Sequence, residues 1–128
     1  MAALSHPAME DVGLTTVLQA LSDPVRLRLV ALLLEGDTRS CAPEFWDVEV
    51  HKSTLSHHYK VLREAGLTLT HVHGRTRSVE LRRAELEERF PGLLTFLSAA
   101  VEREFPAAPL REPGGSGQVT PVGRGPRA

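Results

Sequence analysis

The chain has 128 residues, a single cysteine, 5% aromatic residues and a formal charge of −1 at pH 7. That length suits one domain whose core needs neither a disulfide nor a structural metal. A lone Cys41 excludes an internal disulfide and fits a reducing cytoplasm, and no apolar run or leader pattern marks a membrane span or an export signal.

Residues 1–10 are small and polar, so a flexible N-terminus is expected there. Residues 11–105 carry the periodicity of a folded domain. Val12, Val17, Leu18 and Leu21 recur at helical spacing over 11–21. Asp23 then offers the short acceptor of an N-cap, and Pro24 fits a first helical position, where its missing N–H costs nothing. The helix opened in this way contains Val25, Leu27, Leu29, Val30, Leu32, Leu33 and Leu34 and closes at Gly36. Apolar around most of its circumference, it is the expected centre of the core. Ser40 is expected to cap a short helix over 41–46, with Pro43 in its first turn and Phe45 and Trp46 as anchors.

The stretch from Lys52 to Gly66 is the most informative. It reads as a helix over 53–65 that begins at a hydroxyl cap and stops at glycine. Leu55, Tyr59 and Leu62 form a buried stripe, while Thr54, Ser56, His57, Lys60 and Arg63 face outward with no carboxylate among them. A helix apolar behind and donor-rich in front suits a DNA major groove. An ordinary solvated face, the alternative, usually mixes both charge signs. Residues 67–73 and 76–81 each alternate with period two around Gly74-Arg75, which predicts a two-stranded hairpin with arginines at its tip. Helix-turn-helix followed by a basic hairpin is the pattern of a winged helix. The charge distribution agrees with it: −5 over residues 1–50, +5 over 51–83 and −1 beyond, with five of the six histidines in the basic part. Such a segment is the electrostatic footprint of phosphate contact.

Residues 84–90 predict a short acidic helix. Pro91 restarts a helix whose stripe of Leu93, Leu94, Leu97, Ala100, Val101 and Phe105 is expected to pair outside the domain, with folding back onto the first helix as the alternative. Ten of the 23 residues in 106–128 are proline or glycine, which predicts a disordered tail.

The runs ALSDPVRLRL (20–29), STLSHHYKVLREAGL (53–67) and GRTR (74–77) together resemble the ArsR/SmtB-type winged helix-turn-helix repressors over about residues 11–103. The resemblance implies a mainly α fold with a small antiparallel β-hairpin, dimerising through terminal helices. It further implies a homodimer that binds a palindromic operator in double-stranded DNA and represses transcription. By position, Ser53, Thr54, Ser56, His57 and His58 match the groove-facing segment, and Arg75 and Arg77 match the wing; Lys52 and Lys60 add phosphate attraction. Tyr59 stands where the family generally has leucine, and is expected to be buried with its hydroxyl at an edge. Two roles are open to His58: bonding DNA, or locking the helix against its scaffold.

The family's metal sites are not matched. Cys41 is a lone thiol, and the terminal helix holds no histidine, so neither a metal nor a cofactor is expected. The remaining candidate ligands are His71 and His73, with His6, His51, His57, His58 and Cys41. They keep a nickel- or zinc-responsive repressor open as an alternative, as does a redox role for Cys41 if a helix N-terminus lowers its pKa. A protein–protein adaptor is another alternative, and an unidentified effector or protein co-regulator is a further possible partner. No enzyme is expected: Ser56-His57 is a pair of helical neighbours, which point about 100° apart.

Overall fold

The computed structural model describes residues 4–36, 38–42 and 50–104. Among the described residues a 3-10 turn (Met9–Asp11) and five α-helices, α1 (Leu14–Leu21), α2 (Pro24–Leu34), α3 (Lys52–Glu64), α4 (Arg83–Arg89) and α5 (Leu93–Glu104), accompany a sheet of β1 (Thr38–Ser40), β2 (Thr68–His73) and β3 (Thr76–Leu81), on which α2 and α3 pack. The sheet is antiparallel in the order β1-β3-β2, with Arg39 opposite Val79 and Thr70 opposite Val79 on the other side. The fold is mainly helical with a small three-stranded antiparallel sheet, compatible with a winged helix.

The start of α2 follows its sequence closely. Asp23 Oδ1 accepts from the backbone N–H of Val25 at 2.8 Å and of Arg26 at 3.1 Å, and Pro24 opens the first turn. Partial burial works against the Asp23 charge, but these two donors hold its carboxyl below the usual range. The other end differs from expectation. Gly36 does not adopt a left-handed conformation; instead the Arg83 guanidinium donates to the carbonyls of Leu33, Leu34 and Gly36. A cation on the last carbonyls of a helix both satisfies them and opposes the dipole.

Helix α3 ends in a Schellman motif. Leu67 N–H donates to Leu62 carbonyl at 3.0 Å and Gly66 N–H to Arg63 carbonyl at 3.1 Å, while Leu62 and Leu67 are both fully buried. Gly66 has φ +90°, and a Cβ there would run into the side chain of Val12. Glycine is therefore required twice over, by conformation and by space.

Three further expectations are corrected. Ser40 ends a strand, residues 38–40, on the edge of β3, and its Oγ accepts from Ala42 N–H at 3.1 Å; most of the helix expected over 41–46 lies outside the described residues. The hydroxyl cap expected at the start of α3 is absent, for His51 occupies the N-cap and no side chain bonds there. The N-terminal segment, described from Leu4 onward, is docked. His6 Nε2 accepts from Thr70 N–H at 3.0 Å on the free edge of β2, and Pro7 carbonyl accepts from Arg82 at 2.9 Å. An open sheet edge left uncovered is a site for unwanted pairing, and this segment covers it. Finally, the α5 stripe of Leu94, Leu97 and Val101 is buried by its own chain, with α5 packed on α2 and α4 and not on α1 as its main neighbour. Among the described residues the large apolar side chains left in solvent are Leu14 and Leu18 on α1, each 49% exposed, and Phe96 on α5, 66% exposed. Phe105 and the tail over 106–128 lie outside the described residues.

Candidate nucleic-acid interface

Leu55, His58, Tyr59 and Leu62 are the buried side of α3, at spacings of three and four that bring them onto one stripe. Lys52, Ser53, Thr54, Ser56, His57 and Lys60 are exposed, and Arg63 is half-buried. Only Glu64, at the last turn, adds a carboxylate to this helix. The hairpin of β2 and β3 turns at Gly74-Arg75, with His73 paired to Thr76 and Gly74 at φ +63°. Nothing crowds a Cβ at Gly74, so this glycine answers to conformation alone. Arg75 and Arg77 are exposed at this tip.

Helix and hairpin meet in a cleft of about 280 Å³ lined by Lys52, Ser56, Tyr59 and Arg63 from α3, Thr70, Arg75 and Arg77 from the hairpin, and Cys41 with Ala42. The four α3 residues fall at i, i+4, i+7 and i+11, a single stripe of the helix facing the wing. Lys52, Ser56, Arg75 and Arg77 are thus brought together. Ser53, Thr54, His57 and Lys60 stand on other exposed parts of α3 and do not line the cleft.

His58 is the correction within the expected contact set. It is 7% exposed, and its Nδ1 lies 3.2 Å from the Arg26 guanidinium. A guanidinium only donates, so Nδ1 must accept, which makes His58 neutral with its proton on Nε2. Burial pushes its pKa below 6.5, and the Arg26 and His57 charges act in the same direction against the pull of Asp23. Arg26 also donates to Ala20 carbonyl at 2.6 Å. One guanidinium therefore ties the end of α1 to α3. Of the two roles open to His58, the structure places it in the scaffold. Tyr59 is 6% exposed and its hydroxyl donates to Cys41 carbonyl at 3.2 Å, as a buried phenol with an edge-facing oxygen should.

Not every cation in the basic segment faces solvent. Arg82 is buried, pairs with Glu85 at 2.8 Å and holds Pro7, while Arg83 closes α2. Both serve the fold, so the outward positive charge is smaller than the sequence tally. Arg63, expected on the outward donor face of the helix but not singled out as a contact, lines the cleft, as does Thr70, which was not expected there at all. The helical stripe through Lys52 and Ser56 pointed to Arg63; Thr70 became visible only with the register of the hairpin.

The redox reading of Cys41 is also corrected. Cys41 follows a strand, its N–H donating to Arg77 carbonyl at 2.9 Å, and burial raises its thiol to about 11 despite the nearby Arg77 and Arg63 charges. A thiol that stays protonated is a poor nucleophile. Among the described residues no three His, Cys, Asp or Glu side chains gather as a metal site. His71 bonds Glu80 at 2.6 Å, with the His73 ring centroid 6.3 Å from its own. No described helix is long and apolar enough to cross a membrane.

No family model matches the sequence. Over 82 residues the chain is 39% identical to the uncharacterized HTH-type transcriptional regulator YceK of Bacillus subtilis (strain 168), an alignment spanning 63% of this chain and 82% of that protein. Among solved structures, the crystal structure of M. tuberculosis Rv0081 is similar with a TM-score of 0.53 at 24% identity, covering 70% of this chain and 90% of that one. The second likeness is one of fold.

Proposed function

The chain belongs to the HTH-type transcriptional regulators, and from that premise we propose that it is a DNA-binding repressor of the ArsR/SmtB type, acting as a dimer on an inverted-repeat operator. The observation that carries this reading is the convergence of Lys52, Arg63, Arg75 and Arg77 from two elements on one cleft, with no carboxylate among its described lining residues. The exposed hydroxyls and imidazole of Ser53, Thr54, Ser56 and His57 meet base edges or nearby phosphates, while Lys52, Lys60, Arg75 and Arg77 set register through the backbone. His58 stands behind this surface and holds α3 in place.

In the dimer the two copies of α3 sit roughly 34 Å apart, one turn of B-DNA. Among the described residues Leu14, Leu18 and Phe96 are the exposed large apolar side chains available to join the subunits, since Leu94, Leu97 and Val101 are buried within the chain. The protein acts by binding and not by catalysis. Selection of duplexes from a random library by the full chain, followed by footprinting, tests the reading. Recovery of an inverted repeat with protection on one face supports it, and failure to retain any duplex at low salt contradicts it.

A further inference from the structure

The cleft between α3 and the wing has a property that groove reading does not use. Its lining combines Lys52, Arg63, Arg75 and Arg77 with the side chain of Thr70, which is 5% exposed. The Thr70 Oγ1 is shielded from water and has no hydrogen-bond partner among the described residues. A buried hydroxyl without a partner is costly, about 1–3 kcal/mol, and such groups are rarely left without purpose. The described ion pairs engage none of the four cations. Cys41 adds no negative charge, because its thiol stays protonated at neutral pH.

We infer that this cleft is a seat for a single phosphate group, held by Arg63, Arg77 and Lys52 with the Thr70 hydroxyl as a neutral donor. Guanidinium forks match phosphate oxygens, and a half-buried arginine beside an orphaned hydroxyl distinguishes this place from a merely basic surface. The volume of about 280 Å³ leaves room beyond one phosphate, so the group arrives either on a small phosphorylated solute or on the backbone of a duplex. A solute in the cleft occupies ground between helix and wing that a duplex must approach, so the two sources compete. The inference concerns the same face as the proposed function, but its first arm needs no DNA.

In that arm the full chain is titrated calorimetrically with inorganic phosphate and with pyrophosphate at constant ionic strength, alongside Arg63→Gln and Thr70→Val. Thr70→Val keeps shape and β-propensity, and circular dichroism confirms that each variant is folded. In the second arm the same three proteins bind a mixed-sequence duplex in chloride and in phosphate buffers of equal ionic strength. A small-solute seat shows saturable phosphate binding, weakened about tenfold or more in each variant, and duplex binding that phosphate inhibits. A backbone seat shows no saturation by free phosphate but a comparable loss of duplex affinity in both variants. Absence of saturable phosphate binding together with wild-type duplex affinity in both variants overturns the inference. Wild-type failure to bind any duplex, with phosphate binding intact, removes the regulator reading and leaves the seat.

Discussion

The Arg26 guanidinium stands 3.2 Å from Nδ1 of His58, across the junction between α2 and α3. An imidazole beside an arginine must stay neutral, and that requirement links the seating of α3 to pH. His58 is depressed below its ordinary 6.5 chiefly by burial, so the unfolded chain takes up the proton first. Its contribution to stability is complete above 6.5 and is lost as pH falls through the folded value. His6, which accepts from Thr70 N–H, is depressed in the same direction, mainly by burial and then by Arg63. Urea denaturation across pH 5 to 8 should show stability falling on the acid side, and His58→Gln should flatten that slope. A slope unchanged in the variant would separate His58 from the effect.

Gly66 and Gly74 both have positive φ, but only Gly66 abuts another side chain. Gly74→Ala should cost about 1–2 kcal/mol, the penalty of a left-handed residue with a Cβ. Gly66→Ala adds the displacement of Val12 and should cost about 2–4 kcal/mol in all. Equal losses for the two in denaturant titrations would show that Val12 yields freely.

The basic segment divides into cations that hold the fold and cations that face outward. Arg83→Met removes the donor to the α2 carbonyls and should lower stability by about 1 kcal/mol while leaving the salt dependence of duplex binding unchanged. Arg75→Ala should do the reverse. A shallower salt slope in Arg83→Met would move that arginine to the interface.

Leu97 is buried within the chain, whereas Phe96 beside it is exposed. Leu97→Ala should cost about 2–4 kcal/mol through the cavity it leaves. If the proposed dimer forms through these side chains, Phe96→Ser with Leu18→Ser should instead give a monomer in sedimentation without lowering the subunit's own stability. A dimer that survives both changes would place the subunit contact elsewhere.

Much of this architecture was legible in the residues themselves. The Asp23-Pro24 cap, the α3 stripe and the alternation around Gly74-Arg75 are local patterns, and local patterns survive into the fold. What escaped was decided by distant partners. The three residues of β1 are too few to show a period and pair with a strand about forty positions downstream. His6 and Pro7 look like tail residues until Thr70 and Arg82 come to meet them. Arg82 and Arg83 count as surface charge in a sequence but as hydrogen-bond donors in the structure. The destination of α5 was misjudged because an apolar stripe says that it will be covered and not by what. His58 carried two readings, and the choice rested on Arg26, 32 positions away.

The most direct test of the whole account is the affinity of the full chain for duplex DNA measured against salt, for the wild type and for Arg75→Ala combined with Arg77→Ala. Each lost phosphate contact lowers the slope of log affinity against log salt by about 0.9, so the double variant should bind more weakly with a slope shallower by about 1.8. Coincident lines for the two proteins, or no duplex binding by the wild type at low salt, would contradict a wing and recognition helix directed at DNA.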